Sequence, residues 1–344
     1  MKVLHFPNSL PMIIQCNALK QIGVDSTSVQ FKTHSFRFKP DICLNMEKMS
    51  GSNVKNLMRE FLEKAANEYD LFHFHDMPTG IPYTPTEKDL AVLKQTGKPL
   101  LIQHHGSEVR RLSIARNLGN PYVKVKPQWS NEKMLVNRLT QWGKIFDHAI
   151  IADHELFPYI EGFYNNIHVI RQPIDISNFS PIFPDPDTPI PLIVHAPSHR
   201  EIKGTAFVLD AIKRLEAEGY KFNFKLVENM NHTTAKEVYQ KADILIDQIC
   251  IGGIGVLSLE GMALGKPVLC YIRDDLYEKQ YPREIPILNA NPDTIYEKLK
   301  GLILNPASRR ELGIKGREYA EKHHDSIKIA EQFKSLYEKL LKET

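Results

Sequence analysis

Residues 252–268 read GGIGVLSLEGMALGKPV and follow the short apolar run Ile244–Ile246. Glycines let a ligand approach the backbone closely, and the start of a helix presents unpaired N–H groups and a positive dipole end to an anion. The order of an apolar run, a glycine-rich turn and a helical pattern predicts a βα unit of a nucleotide-binding α/β domain. In this interpretation Gly253 and Gly255 lie against a diphosphate.

Glu260 follows a little more than one turn into the predicted helix. Its carboxylate is placed to accept hydrogen bonds from ribose hydroxyls while the phosphates lie at the start of the helix. The alternative is a plain tight turn at the glycines, with Glu260 as a solvated acid of the first turn. The residues alone leave both interpretations open.

The same alternation of apolar runs and amphipathic segments extends over the whole chain and predicts parallel sheets with crossover helices. The predicted strands are 3–6, 71–74, 99–104, 149–152, 167–170, 192–195, 222–227, 244–246 and 268–272. The predicted helices include 53–67, 86–96, 130–146, 205–218 and 256–264.

A length of 344 residues suggests two domains. Prolines crowd residues 181–191, which predicts neither helix nor central strand, and we place the interdomain connection there. The predicted organisation is an N-terminal Rossmann-like domain, 1–172, and a C-terminal Rossmann-like donor domain, 173–325, with ligands in the cleft between them. A C-terminal helix, 326–344, packs back across the domains, and the sequence leaves open whether it reaches the N-terminal one.

The composition excludes several classes of protein. A net charge of +3 is too small for a dedicated nucleic-acid binder. The four cysteines form no CxxC pair, so neither a disulfide framework nor a metal site is predicted. The N-terminus lacks the apolar stretch of a signal peptide, and we expect a cytoplasmic protein.

Two further stretches place polar side chains after predicted strands. Arg200 and Lys203 follow the strand 192–195 and lie beside a second helix start, where two cations suit a pyrophosphate. The alternative is a pair of surface cations. His105 follows the strand 99–104 and precedes a glycine, while His104 alternates into the core; the alternative for His105 is a structural histidine.

Taken together, these stretches resemble the retaining enzymes of glycosyltransferase family 4. Residues 255–268 are similar to that family's FGxxxLEAMAxGxPV helix, Lys203-Gly204 to its KG dipeptide, and residues 172–175 to its PNGVD-like turn. Residues 69–75 are similar to its YDxxHxH strand, and residues 105–110 to its HGSDxR loop. The resemblance implies an α/β protein with the GT-B fold, in which two Rossmann-like domains face a central cleft.

The resemblance also implies roles for individual residues. It assigns donor diphosphate binding to Arg200, Lys203, Gly253 and Gly255, nucleotide and ribose binding to Val256, Leu257 and Glu260, a catalytic role at the transferred sugar to His105, and a loop near donor or acceptor to Ser9 and Leu10. Three features depart from the family pattern. Gly252 stands in place of the first Glu of a Glu-x7-Glu motif, Arg200 and Lys203 are closer together than usual, and the loop at Ser9 lacks a glycine pair.

The implied function is transfer of a sugar, with retention, from a nucleoside-diphosphate sugar to a saccharide or lipid-linked acceptor. A UDP-sugar is favoured, no metal and no cofactor is expected, and the setting is polysaccharide or glycolipid synthesis in the cytoplasm or at the inner membrane face. Two alternatives are a non-catalytic nucleotide-sugar binding protein and a GT-B-like epimerase. The segment 124–129 carries two lysines and a tryptophan; a solvated loop is favoured over weak contact with a membrane surface.

Overall fold

The computed structural model describes residues 1–7, 10–33, 39–76, 85–282 and 285–343. The chain divides into two compact units. The first unit comprises 1–110, 127–173 and 326–344, and the second comprises 111–126 and 174–325. The predicted N-terminal domain, 1–172, includes the segment 111–126, which the structure groups with the second unit.

The first unit contains a parallel sheet of seven strands in the order β3-β2-β1-β4-β5-β6-β7. The strands are β1 Lys2–Phe6, β2 Asp25–Gln30, β3 Ile42–Cys43, β4 Leu71–His75, β5 Leu100–His104, β6 His148–Ile151 and β7 Asn166–Val169. Every residue of β4 and β5 is buried, as expected for strands covered on both faces. The strand order reverses between β1 and β4, which makes a topological switch point there.

The helices of the first unit are α1 Leu10–Gln21, α2 Gly51–Glu68, α3 Glu87–Lys94, α5 Glu132–Gly143, α6 Phe157–Ile160 and α14 Ser326–Glu343, numbered in chain order over both units. The helix α14 packs against α1. Its Phe333 and Tyr337 are fully buried in one cluster with Leu71 of β4 and Leu101 of β5. The apolar face of this last helix, which the helical spacing predicted, therefore packs against the sheet of the first unit.

The second unit contains a parallel sheet of five strands in the order β12-β11-β10-β8-β9. Its strands are β8 Leu192–His195, β9 Asn223–Leu226, β10 Ile244–Ile246, β11 Val268–Cys270 and β12 Ile287–Asn289. Its helices are α4 Leu112–Asn117, α7 Arg200–Lys203, α8 Thr205–Ala217, α9 His232–Lys241, α10 Val256–Ala263, α11 Asp274–Lys279, α12 Ile295–Leu304 and α13 Pro306–His323. Here the strand order reverses between β8 and β10. The predicted α/β class with two Rossmann-like units is confirmed.

The proline-rich segment 181–191 forms neither helix nor strand, as predicted, but it belongs wholly to the second unit. The Ile182 N–H donates to the carbonyl of Leu264 at 2.9 Å, at the end of α10. The guanidinium of Arg310 lies over the ring of Phe183, 5.9 Å from its centroid. The connection was predicted in this segment, but the segment lies within the second unit, where its backbone contacts the end of α10 and its Phe183 contacts α13.

Three strands were not predicted: β2, β3 and β12. The sequence of β2 is DSTSVQ, and its Ser26 and Ser28 are buried polar residues rather than an apolar run. The strands β3 and β12 have only two and three residues. Within the described part of the chain, no helix combines the length and the apolar character needed to cross a membrane.

Candidate functional site

The switch point of the second sheet carries polar side chains at the carboxyl ends of β8 and β10. The strand β10 is followed at once by Asp247 and Gln248, both buried. The Nζ of Lys203, at the end of α7, lies 3.2 Å from Asp247 Oδ1 and donates to Gln248 Oε1 at 2.6 Å. In open α/β sheets this crevice is the usual place for a ligand.

Asp247 also holds the start of α10. Its Oδ2 accepts hydrogen bonds from the backbone N–H of Ser258 at 3.2 Å and from the Ser258 hydroxyl at 2.7 Å. A carboxylate at a helix N-terminus is stabilised by the helix dipole. A Cβ at Gly255 would lie 2.2 Å from Asp247 Oδ2, so any other residue here forces the Asp247 side chain to move. The sequence analysis missed Asp247, although an acid directly after a buried strand is a usable signal.

The glycine loop is tied to the same cluster. The Gln248 side chain donates from Nε2 to the carbonyl of Gly253 at 2.5 Å. Val256 begins α10 with 42 % of its surface exposed, whereas Leu257 is buried. The predicted residues Lys203, Gly253, Gly255, Val256 and Leu257 therefore belong to one connected group around the start of α10.

Gly252, at the position where the resembling family has a glutamate, cannot carry a side chain in this fold. Its φ is +92°, which favours glycine. A Cβ would lie 2.5 Å from Cγ of Arg273 and 3.2 Å from Nδ2 of Asn120. Arg273 is buried, and Asn120 donates to the carbonyls of Cys250 and Ile251 at 3.0 and 2.9 Å. The neighbours of Gly252 fill the space that a longer side chain needs.

Arg200 does not share the partners of Lys203. Its Nε donates to Oε1 of Glu228, on the loop after β9, at 2.7 Å, and the side chain is 57 % exposed. The hydrogen bond with Glu228 raises the pKa of the Arg200 guanidinium. The two residues predicted to bind the diphosphate therefore have different partners: Arg200 pairs with Glu228, and Lys203 with Asp247 and Gln248.

Glu260 is buried in α10 and is paired with a histidine that the sequence analysis did not identify. Nε2 of His232, the first residue of α9, lies 2.6 Å from Glu260 Oε1. This hydrogen bond raises the pKa of His232 above its usual value of 6.5, since it outweighs burial. Nothing in the sequence pattern relates a residue 28 positions earlier to Glu260.

In the first unit, the loop after β5 is fixed by Glu108. The backbone N–H groups of His105 and Gly106 donate to its two carboxylate oxygens at 2.9 and 3.0 Å. His104 Nδ1 lies 3.3 Å from Glu108 Oε1. Burial alone would raise the pKa of Glu108, but the hydrogen bond with His104 and the two histidines nearby lower it to about 2. Glu108 therefore stays ionised and holds His105 at the carboxyl end of the sheet.

The Arg110 side chain occupies the space beside Gly106, which is why this loop has a glycine there. A Cβ at Gly106, whose φ is +123°, would meet the Arg110 guanidinium at 2.4 Å. Arg110 makes a bidentate pair with the buried Glu155, at 3.0 Å from Nε and 2.7 Å from Nη2. The motif HGSEVR thus builds a rigid turn whose acid and arginine are used internally, and it leaves His105 as its candidate for chemistry.

The imidazole of His105 stacks on that of His75, with ring centroids 5.8 Å apart, and its Nε2 has no hydrogen-bond partner in the described part of the chain. Burial lowers the pKa of His105, so the ring is neutral near pH 7. Of the predicted loop residues, Leu10 begins α1, and Ser9 lies outside the described residues.

The same end of the first sheet holds a group of histidines that the sequence analysis left without a function. His5, His73 and His75 are buried, and each offers a ring nitrogen within 4.8 Å of those of the other two. No metal site was predicted; His5 is about 70 residues from His73 and His75 in the chain, so no local spacing links the three. The usable signal was the alternation His73-x-His75 in a strand that pairs with β1.

Comparison with known proteins shows which solved structures share this fold. No protein-family profile and no curated protein matches the chain. Among solved structures, the chain is similar to a sucrose-phosphate synthase from Thermosynechococcus elongatus, with 16% identity, a TM-score of 0.66 and complete coverage of both chains. It is also similar to HepE from Anabaena in complex with UDP and glucose, with 13% identity, a TM-score of 0.66 and coverage of 98% of this chain and 99% of HepE.

A third similar structure is a glycosyltransferase from Rickettsia africae, with 14% identity and a TM-score of 0.64 over 99% of this chain and 98% of that one. At such identities the likeness concerns the fold. The chain therefore has the fold of the GT-B glycosyltransferases, as the sequence resemblance predicted.

Proposed function

Starting from this fold, we propose that the protein is a glycosyltransferase that uses a nucleoside-diphosphate sugar as donor. The observation that carries the proposal lies within the second unit: Lys203 and the start of α10 meet at Asp247, at the switch point between β8 and β10, and Glu260 lies further along the same helix. A similar structure, HepE, has been solved with UDP and glucose, which supports UDP as the nucleotide.

The diphosphate is proposed to bind at the start of α10. The first N–H groups of a helix have no intrahelical acceptor, and that of Ser258 is already taken by Asp247. The N–H groups of Val256 and Leu257 then serve the phosphate oxygens, with Gly253 and Gly255 allowing close approach. Lys203 adds a positive charge beside them, and Arg200 joins when it exchanges Glu228 for phosphate.

In this proposal the charge that develops on the departing β-phosphate is stabilised by two cations and oriented N–H groups. The same groups supply what a divalent ion would provide at the diphosphate, so donor binding is proposed to be independent of metal and of any cofactor. Ribose hydroxyls bind Glu260, which exchanges its hydrogen bond with His232 for theirs. The buried position of Glu260 makes such a hydrogen bond strong.

The proposed catalytic contribution of the first unit is His105. A neutral imidazole whose Nε2 lacks a partner is suited to a hydrogen bond with a sugar hydroxyl. The loop of Ser9 and Leu10 is proposed to lie near donor or acceptor. Retention of configuration, a saccharide or lipid-linked acceptor, cell-surface polysaccharide or glycolipid synthesis, and a cytoplasmic location rest on the sequence resemblance alone.

Membrane contact by the segment 124–129 gains no support from its tryptophan. The Arg138 guanidinium lies over the Trp129 ring, 5.5 Å from its centroid. A ring covered by a cation within its own protein has less apolar surface to offer a lipid. The solvated-loop interpretation is therefore kept.

Gly252 favours a second candidate, a protein that binds a nucleotide sugar without turning it over. The missing glutamate would contact the donor sugar in the resembling family, and the buried Arg273 fills the space beside Gly252. The nucleotide site described above does not depend on that contact. The two candidates thus share a donor site and differ in turnover.

The test is calorimetric titration with UDP, GDP, ADP and dTDP and their hexose conjugates, in the presence of EDTA. Replacing Arg200 by Gln removes the proposed charged contact with the diphosphate, so UDP affinity should fall about tenfold or more. Arg214→Gln is the matched control, because Arg214 also pairs with a glutamate, Glu218, and is 60% exposed. The Arg214→Gln variant should bind UDP with the affinity of the wild type.

Lack of binding to every nucleotide, or equal effects of Arg200→Gln and Arg214→Gln, would contradict the proposed donor site. Release of UDP from the bound conjugate, with the anomeric configuration of the transferred sugar read by NMR, tests turnover and retention. Tight binding with no release of UDP in the presence of a range of saccharide acceptors supports the non-catalytic candidate instead.

A further inference from the structure

The histidines at the switch point of the first sheet form a buried polar group that the proposed function does not use. His5, the last residue but one of β1, pairs in register with His73 of the neighbouring strand β4. The rings of His73 and His75 stack with centroids 4.3 Å apart, and His5 lies 5.0 and 5.4 Å from them. All three side chains are fully buried.

Three ring nitrogens of this group lack hydrogen-bond partners among the described residues: His5 Nε2, His73 Nε2 and His75 Nδ1. Buried polar atoms are almost always satisfied, and of these three the unpartnered His73 Nε2 is the nitrogen that a bound ion would satisfy. A neutral imidazole keeps one lone pair, which can bind an ion.

We propose that His5, His73 and His75 form a binding site for one transition-metal ion of the Zn²⁺ class. Two nitrogens bound to a tetrahedral zinc ion lie about 3.3 Å apart, given Zn–N bonds of about 2.0–2.1 Å. His5 Nδ1 and His75 Nε2 are 3.1 Å apart and share one proton in a hydrogen bond. An ion that binds both nitrogens displaces this proton to the other nitrogen of its ring, at a spacing that already fits. Three imidazole ligands leave one position of a tetrahedral ion open.

Tyr337 and Gln15 orient the ring of His73 as a ligand. Its Nδ1 lies 2.7 Å from the hydroxyl of Tyr337, on α14, and Gln15 Nε2 lies 3.1 Å from the same hydroxyl. Rotating the Gln15 amide by a half-turn places its oxygen toward Tyr337, and this oxygen has no other partner among the residues that the structure describes. His73 Nδ1–H then donates to Tyr337, which donates to Gln15, and the lone pair of His73 is on Nε2. Metal-bound histidines are commonly oriented in this way.

The proposal is independent of the proposed function. The ligands lie in the first unit, whereas the diphosphate site is built from residues of the second. Carboxylates and waters suit Mg²⁺, while imidazole suits Zn²⁺, Co²⁺ and Cu²⁺, so the ligand set also predicts which ions bind.

The experiment uses the whole chain without a histidine tag, first treated with EDTA and then titrated with Co²⁺. We expect one Co²⁺ per chain with the visible absorption bands of a tetrahedral site, displacement by Zn²⁺ and no response to Mg²⁺. Zn²⁺ should raise the melting temperature and shift the ring ¹⁵N signals of three histidines. Absence of a tetrahedral Co²⁺ spectrum, or of these histidine shifts, in the wild type would overturn the proposal without any variant.

Two variants identify the ligands. His73→Gln should abolish the Co²⁺ bands, whereas His168→Gln should leave them unchanged. His168 is the matched control because it also stacks on a histidine, His148, with ring nitrogens 3.1 Å apart in the same sheet. Tyr337→Phe keeps all three ligands and should weaken Co²⁺ binding about 10- to 100-fold. A Co²⁺ spectrum that survives His73→Gln, or is lost in His168→Gln, contradicts the assignment.

Discussion

The switch points of the two sheets are built from opposite kinds of polar side chain. At the second, Lys203, Asp247 and Gln248 form a compact charged group in which every partner is hydrogen-bonded. At the first, neutral histidines from β1 and β4 lie together, and several of their nitrogens have no partner in the described part of the chain. Charged groups at a strand end suit an anion, whereas lone pairs of neutral imidazoles suit a metal or a sugar hydroxyl.

The largest expected consequence of this difference is acid sensitivity of the first unit. His5, His73, His75 and His105 have folded pKa values below that of a free histidine, chiefly because of burial. The unfolded chain therefore binds more protons below about pH 6.5, and the stability present above that pH is lost as the pH falls. Each group contributes up to about 1.4 kcal/mol per pH unit, and four contribute up to about 5 kcal/mol.

Hydrogen exchange of metal-free protein at about pH 7.5 and about pH 5.5 checks this, after correction for the intrinsic exchange rate. Amides of β4 should lose more protection than those of β10. In the second unit, burial lowers the pKa of His195 to about 4, but the bond to Glu260 raises that of His232. Equal losses of protection in β4 and β10 would remove the proposed contrast between the units.

The next effect concerns the charged group of the second unit. Gly255→Ala forces the buried Asp247 carboxylate away from Lys203 and Ser258, which should cost about 3 kcal/mol of the free energy of unfolding and lower UDP affinity. Gly301→Ala is the control, because a Cβ there meets nothing within 4 Å. In α12 that change should stabilise the protein by about 0.5–1 kcal/mol. Urea unfolding of both variants measures the difference, and a Gly255→Ala variant as stable as the wild type would show that Asp247 moves without cost.

The smallest effect is a pH dependence at Glu260. The folded pKa of His232 is raised, so its pair with Glu260 contributes stability fully below about pH 6.5 and loses it as the pH rises through the folded value. The pair is partly exposed, and we expect less than about 1 kcal/mol. If ribose competes with His232 for Glu260, the affinity for a UDP-hexose rises with pH across this range.

Calorimetric titration of a UDP-hexose, whose two esterified phosphates keep their charge over this pH range, measures that competition in the wild type and in His232→Gln. The variant should bind the UDP-hexose with an affinity that no longer changes with pH. A wild-type affinity that is flat, or that falls as His232 loses its proton, would argue against ribose binding at Glu260.

The sequence by itself determined the features that lie within one continuous stretch of the chain. The apolar runs of β4, β5, β8 and β10 and the glycine-rich turn before α10 could be predicted, because burial on both faces of a parallel sheet and a helix start both require local residue patterns. The resemblance of these motifs to a glycosyltransferase family predicted the GT-B fold, which is confirmed, and named Gly253, Gly255 and Lys203 as candidate site residues. Short or polar strands such as β2 escaped prediction, since hydrogen bonding to neighbouring strands rather than apolar content defines them.

Only the tertiary structure decided which side chains meet. Asp247 and Lys203 are 44 residues apart, and Tyr337 reaches His73 across 264 residues. The β–α–β topology brings the carboxyl ends of non-consecutive strands together at a switch point, and no local pattern encodes that juxtaposition. The same reason explains why Gly252 appeared as a lost glutamate in the sequence, while the structure shows that Arg273 and Asn120 leave no room for one.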